Sequence, residues 1–64
     1  MDVKFNIGDW IYNKDVNSVC VVDNIDKFTE PIPQYYLHIV GNPSAQFWSY
    51  CFGWEKVGAN GIYI

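Results

Sequence analysis

The feature of this sequence that most constrains its fold is a regular alternation of turn-forming residues with short runs rich in Val, Ile, Tyr, Phe and Trp. The turn-forming clusters lie at residues 8–9, 13–18, 31–33, 41–44, 53 and 58–61. The runs between them lack the apolar spacing of an amphipathic helix. Short strands that recur at intervals of roughly 8–12 residues are typical of all-β sandwiches and barrels. We therefore expect an all-β protein.

Five strands are predicted from these runs, at residues 5–12, 19–25, 35–40, 47–54 and 61–64. A short 3₁₀ turn is expected over residues 55–59, before the last strand. Residues 28–34 are expected to form a loop, because Pro31 and Pro33 cannot donate a hydrogen bond to a central ladder. A chain of 64 residues is long enough for one domain only, so residues 1–64 are predicted to form a single domain.

The third and fourth predicted strands form a hairpin whose register can be inferred from side-chain size. One register places large apolar side chains opposite each other on a single face, which stabilises the pair and disfavours slippage. The pairs predicted in this way are Ile39–Trp48, Leu37–Tyr50 and Tyr35–Phe52. We expect this face to be one wall of the core. The first two strands are expected to supply the other wall, through Phe5, Ile7, Ile11, Val19, Val21 and Ile25.

The opening of the chain carries a family resemblance. Residues 5–12 read FNIGDWIY, a polar turn follows, and residues 19–22 read VCVV. This segment resembles the first two strands of SH3-like barrels such as Tudor, KOW and CarD-type modules. The resemblance implies a five-stranded SH3-like barrel that binds peptides or proteins. Gly8 would permit a tight bend into the barrel, and Asp9 would accept hydrogen bonds from backbone amides of the turn.

The charge balance argues against nucleic acid as the primary partner. The chain has four Lys, no Arg and seven Asp or Glu, for a formal net charge of −3. Nucleic-acid binders depend on a basic face that neutralises phosphates, and a bidentate Arg is the commonest reader of guanine. Neither feature is present in this sequence.

The compartment is inferred from the N-terminus and the cysteines. No signal peptide is visible at the start of the chain, and no apolar run reaches the roughly 18 residues that span a bilayer. We therefore expect a cytoplasmic location and no membrane partner. Cys20 and Cys51 are then expected to be reduced, although their spacing also allows one disulfide in a secreted protein.

Enzymatic chemistry has little support in the sequence. The single His and the two Cys have no visible orienting group or oxyanion site. A zinc site made of Cys20, His38 and Cys51 would lack a fourth ligand of the usual kind. Residues 58–61 do not form a phosphate-binding loop, since no Lys-Ser/Thr pair follows them. We expect no enzyme activity, no catalytic residues, no metal and no cofactor.

The surplus of aromatic residues is the informative feature for function. Twelve of the 64 residues are Phe, Trp or Tyr, more than a five-stranded barrel of this size must bury. Trp10 and Tyr12 alternate with Ile11, so they point outward if Ile11 points inward. An exposed aromatic group would mark a binding surface, since monomers rarely leave large apolar patches open. The partner-binding residues predicted on this basis are Trp10, Tyr12, Tyr36 and Trp54.

The sequence thus predicts a small non-enzymatic binding module for a protein or peptide. One form of this hypothesis is a phage or mobile-element inhibitor of a larger host protein, which suits a tiny, acidic, Arg-free chain. One alternative is a structural or assembly protein that buries its aromatic face against its own copy as a homo-oligomer. Another is an aromatic cage that senses a small cationic or planar ligand, with Asp9 at its edge.

Overall fold

The computed structural model describes residues 4–28 and 31–58, and this part of the chain is all-β. It holds five antiparallel strands in one sheet of order β4-β3-β2-β1-β5. The strands are β1 (Trp10–Asn13), β2 (Ser18–Asp26), β3 (Gln34–Ile39), β4 (Asn42–Ser49) and β5 (Trp54–Val57). The expected all-β class with five strands is confirmed. The sheet is not closed into a barrel, because β4 and β5 do not pair with each other.

The turn that leads into β1 has the geometry expected of its Gly-Asp pair. Gly8 adopts a positive φ of 93°. The Asn6 N–H donates to Asp9 Oδ2 at 2.8 Å, and the Asp9 N–H donates back to the Asn6 carbonyl at 3.0 Å. The Gly8 N–H donates to the Val22 carbonyl at 2.8 Å, which joins the turn to β2. Strand β1 therefore begins at Trp10 and is shorter than the predicted segment 5–12.

The turn between β1 and β2 is organised by a buried asparagine. Asn13 is 7% exposed, and its Oδ1 accepts hydrogen bonds from the backbone N–H groups of Asp15 at 2.8 Å and Val16 at 3.3 Å. Asn17 then takes a positive φ of 57°, which its short polar side chain tolerates. The two strands leave this turn in a regular antiparallel register, with Ile11 opposite Cys20.

The core lies on one side of the sheet, which we call the inner face. Its buried members are Phe5, Ile11, Cys20, Val22, Tyr35, Leu37 and Trp54. Partly buried hydrophobic residues pack against this cluster, namely Ile25, Ile39, Phe47 and Cys51. The predicted core positions of Phe5, Ile11, Tyr35 and Leu37 are confirmed. The prediction was wrong for Ile7, which is 64% exposed.

The alternation of β2 differs from the prediction. Cys20 and Val22 are buried, whereas Val19 and Val21 are only partly buried and alternate with them. A β-bulge between Val22 and Asn24 then inserts one extra residue, Asp23. Because a bulge shifts the alternation by one position, Ile25 returns to the inner face although it lies three residues after Val22.

The register of the β3–β4 hairpin is also different from the predicted one. Leu37 faces Phe47 and Tyr36 faces Trp48, so the predicted Ile39–Trp48 pairing is wrong. Strand β3 ends at Ile39 and β4 already begins at Asn42, which leaves a tight turn at Val40-Gly41. The register then shifts between His38↔Gln46 and Ile39↔Asn42, which leaves residues 43–45 as extra length on β4. The observed β3–β4 pairing is displaced from the predicted one by an odd number of residues. The side chains of β4 that were predicted to face the core therefore point to the opposite side of the sheet. Trp48, Tyr50 and Phe52 are consequently 47%, 40% and 65% exposed.

The last described strand replaces the predicted 3₁₀ turn. Residues 54–57 form β5 and pair with β1, so the expected turn over residues 55–59 and the fourth strand ending at residue 54 are wrong. The predicted strand 61–64 lies outside the described residues. Within the described ranges, no helix is long and apolar enough to cross a membrane.

Tyr35 holds residues 4 and 5 against the core, and Trp54 joins β5 to β4. The Tyr35 hydroxyl accepts hydrogen bonds from the backbone N–H groups of Lys4 at 2.8 Å and Phe5 at 3.3 Å. The Phe5 ring meets the Tyr35 ring edge-on, with centroids 5.4 Å apart. The Trp54 Nε1–H donates to Ser49 Oγ at 3.1 Å, and the Trp54 ring lies 6.3 Å from that of Phe47. These contacts curl the sheet around its core without backbone pairing between β4 and β5.

We predict that Gly53→Ala destabilises the fold more than Gly8→Ala. Both glycines have similar positive φ values, 82° and 93°. A Cβ at Gly53 would lie 3.0 Å from Asn13 Nδ2, whereas a Cβ at Gly8 meets nothing within 4 Å. The backbone penalty of about 1 kcal/mol is shared by both variants, and the crowding adds about 1 kcal/mol more at Gly53. Urea unfolding of both variants measures the difference. Equal losses would mean that Asn13 moves aside without cost.

We also predict that stability falls as the pH rises from about 9 to about 11. Burial raises the pKa of the Cys20 thiol from 9.0 to about 11. In this window the unfolded chain releases the thiol proton and the folded chain keeps it, so the free energy of unfolding drops by about 1.4 kcal/mol per pH unit. Urea unfolding at pH 8, 9, 10 and 11 measures this slope. Since Lys and Tyr also titrate there, the control is Cys20→Ala, which should lose the slope that the thiol contributes. An unchanged slope in that variant would contradict the assignment.

Candidate binding face

The side of the sheet opposite the core, which we call the outer face, is built from three cross-strand rows. The central row runs through all five strands, because each pairing register continues into the next. Its members, from β5 to β4, are Val57, Trp10, Val21, His38 and Gln46. Trp10 therefore lies on the outer face as expected, and is partly exposed. Val57, directly opposite Trp10, is 2% exposed although it is not a member of the core cluster.

The other two rows flank the central one. On one side Tyr12 of β1 lies between Glu55 of β5 and Val19 of β2. On the other side Tyr36 of β3 lies between Asn24 of β2 and Trp48 of β4. Tyr12 and Tyr36 are both partly exposed, and both sit on the outer face as predicted.

Tyr36 and Trp48 form a close aromatic contact on the outer face. The ring centroids are 4.9 Å apart and the ring planes are tilted by 46°. The Tyr36 hydroxyl donates to Gln46 Oε1 at 3.0 Å, which fixes the orientation of the phenol ring. Trp48 remains 47% exposed. The face thus presents an aromatic pair that leaves Trp48 largely accessible.

A histidine–carboxylate pair occupies the middle of the outer face. His38 Nδ1 and Asp23 Oδ2 lie 2.6 Å apart, and their side chains are 25% and 33% exposed. The bulge in β2 is what brings Asp23 within reach, since Asp23 is the extra residue between Val22 and Asn24. His38 shares the central row with Trp10 and is next to Tyr36 along β3. A partner on this face would therefore meet aromatic surface around a polar centre.

Trp54, the fourth residue predicted to bind a partner, lies in the core. It is 2% exposed, and its indole N–H is already bonded to Ser49. Its edge does contribute to an open cavity of about 320 Å³ at the β1–β5 end of the sheet. The residues that line this cavity are Lys4, Tyr12, Lys14, Gly53, Trp54 and Glu55. Tyr12 and Trp54 thus both line the cavity. Trp10 and Tyr36 lie on the outer face, whereas Trp54 does not.

Three aromatic residues that the sequence predicts in the core are exposed, namely Trp48, Tyr50 and Phe52. Trp48 projects from β4, and the other two follow the end of that strand, with ring centroids 6.3 Å apart. The sequence feature from which their exposure could have been predicted is the Val40-Gly41 turn. A two-residue hairpin turn at this point starts β4 earlier than the turn that we inferred over residues 41–44.

The other candidate sites are not assembled by the structure. Asp9, expected at the edge of an aromatic cage, is engaged in its own turn, and its Oδ1 lies 3.5 Å from Lys56 Nζ. Cys20 faces inward and His38 outward, which separates two members of the three-residue zinc set. No group of three His, Cys, Asp or Glu side chains suited to a metal occurs among the residues described. Cys20 and Cys51 are free cysteines in this structure, the first buried and the second partly buried.

Comparison with known proteins returned no match for this chain, either among protein-family models, among curated proteins or among solved structures.

We predict opposite consequences for two tryptophan substitutions. Trp54→Ala should lower the free energy of unfolding by about 3–5 kcal/mol, because it empties a buried site in a small core. Trp48→Ala should cost about 1 kcal/mol, since it removes only an exposed ring and its contact with Tyr36. Urea unfolding followed by circular dichroism measures both. A larger loss for Trp48→Ala than for Trp54→Ala would contradict the observed register and favour the predicted one, with Trp48 in the core.

Proposed function

We propose that this protein is a small non-enzymatic binding module that engages a protein or peptide partner through its outer face. The observation that carries the proposal is the Tyr36–Trp48 pair, an aromatic contact in which Trp48 remains about half exposed. Trp10 and Tyr12 extend the same face on β1. Trp and Tyr dominate the binding energy of many interfaces, because they bury a large area at a low cost in conformational entropy.

The polar centre of the face favours a protein partner over a purely apolar surface. The His38–Asp23 pair offers a hydrogen-bond donor and acceptors within the aromatic surround. Interfaces typically combine aromatic anchors with a small number of oriented polar groups. The face is also part of a sheet whose registers fix its side chains, so little ordering is required on binding.

An SH3-like fold is part of the same proposal. Supporting it are the five antiparallel strands, the curl of the sheet around one core, and the Gly8-Asp9 turn that leads into β1. In the modules that the opening segment resembles, such a fold is associated with the binding of peptides and proteins. The fold by itself names no partner, so the function rests on the face.

The non-enzymatic part of the proposal is supported by the state of the reactive side chains. Burial raises the pKa of the Cys20 thiol to about 11, so the thiol is protonated and a poor nucleophile at neutral pH. His38 lies on an open sheet face, where its Nδ1 is paired with the Asp23 carboxylate. The two free thiols are compatible with the expected cytoplasmic location. A role in blocking a host protein remains one specific form of this hypothesis.

The test is capture from a cell extract followed by titration of the captured protein. We expect Trp10→Ala and Trp48→Ala each to weaken binding by about 2 kcal/mol, or roughly 30-fold in the dissociation constant, while the fold stays intact. Isothermal titration calorimetry measures the affinity, and circular dichroism checks the fold.

Phe28→Ala provides the matched control, because Phe28 is 87% exposed but follows β2 and lies outside the three rows. It should bind as the wild type does. Unchanged affinity in both tryptophan variants would refute the assignment of the outer face. Unfolding of Trp10→Ala would instead show that Trp10 is a structural residue.

A further inference from the structure

The distribution of charge sets β4 apart from the rest of the sheet. All Asp, Glu and Lys residues lie within residues 1–30 or at positions 55 and 56, so the 24 residues from 31 to 54 carry none. Both β3 and β4 fall inside this uncharged stretch. Strand β3 is flanked by two strands, whereas β4 is an outer strand: over residues 4–28 and 31–58, only β3 pairs with it.

An outer strand presents a row of backbone donors and acceptors that can pair with another strand. Proteins commonly block such edges with charged side chains, proline or bulges. In β4 the proline and the irregular register are confined to its first part, at Pro43 and the extra residues 43–45. The regular part from Gln46 onward has no charged side chain, and Trp48, Tyr50 and Phe52 are exposed on it or directly after it.

We propose that β4 pairs antiparallel with β4 of a second copy of this chain, so that two sheets join into one of ten strands. A two-fold interface requires the same surface on both molecules. Strand β4 meets this condition because it has no charge that would face its own equivalent. Two molecules of net charge −3 repel each other, and contact along β4 keeps their charged strands, β1, β2 and β5, on the far sides of the joint sheet.

The alternation of side chains restricts the register of this pairing. The outer faces of the two copies lie on the same side of the joint sheet only if outward-pointing residues of one β4 pair with outward-pointing residues of the other. Centring the two-fold axis on Gln46, the exposed first residue of the regular part, places Gln46 opposite Gln46 of the second copy. Ser44 then faces Trp48 of the second copy, so each indole gains a neighbour across the joint.

This proposal does not depend on the proposed function. Pairing along the β4 edge leaves Trp10 and Tyr12 accessible, since they lie on β1, three strands away in the sheet order. Trp10→Ala should therefore weaken the binding of a different protein without altering self-association.

Charge complementation at Gln46 tests the proposal directly. We expect the wild type to reach twice the mass of one chain in light scattering as its concentration rises from roughly 10 µM to roughly 1 mM. Gln46→Lys and Gln46→Glu should each weaken the dimer by roughly fivefold or more, because like charges then lie directly opposite. An equimolar mixture of the two variants should restore association, since Lys then faces Glu.

The control places the same charges away from β4. Val16→Lys and Val16→Glu alter an exposed residue of the β1–β2 turn and should leave the dimer unchanged. Hydrogen exchange of the wild type supplies a readout without substitution: amides of residues 44–48 should gain protection with concentration, unlike those of β5. A monomer at every concentration overturns the proposal. So does a dimer that is insensitive to the charges at position 46, because another surface would then hold it together.

Discussion

The contact on which the rest of the structure depends is that of Trp54 with the end of β4. Its indole N–H donates to Ser49 Oγ at 3.1 Å, and its ring lies beside Phe47. Strands β4 and β5 stand at opposite ends of the sheet order, so this contact holds the two ends around the core without any backbone pairing between them. A chain of 64 residues buries only about 60% of the surface that its unfolded form exposes, so its core is small. The Trp54 side chain, which joins the two edge strands, therefore makes up a large part of that core.

The same contact determines which aromatic residues are accessible. Because Phe47 must face inward to reach Trp54, its neighbour Trp48 must face outward, where it meets Tyr36. The side of the sheet to which each β4 side chain points therefore determines both the core and the candidate binding face. The composition indicates that there are more aromatic residues than the core needs, but the phase of β4 decides which of them remain for a partner.

Local features were predictable from the sequence, and features that depend on irregular pairing were not. The Asp9 turn and the inward direction of Ile11 follow from residues adjacent in sequence, and both were correct. The faces of β2 and β4 were wrong, because extra residues at Asp23 and at positions 43–45 change the strand phase. No periodicity in the amino-acid sequence marks such insertions, since each depends on the partner strand. The burial of Trp54 could not be predicted for a related reason: it results from a contact across the sheet, which local alternation does not reveal.

The two proposed surfaces overlap at Gln46 and Trp48, and this overlap connects them. The side chain of Trp48 belongs to the outer face, while its backbone belongs to the edge of β4. Pairing of two copies along that edge would place two Tyr36–Trp48 pairs on one continuous face, one on each side of the central Gln46 pair. The aromatic surface would then be doubled and two-fold symmetric, which raises the avidity for a partner that is itself symmetric or repeated. A single copy would offer only half of that surface, so dimer formation and partner binding would strengthen each other through the same indole.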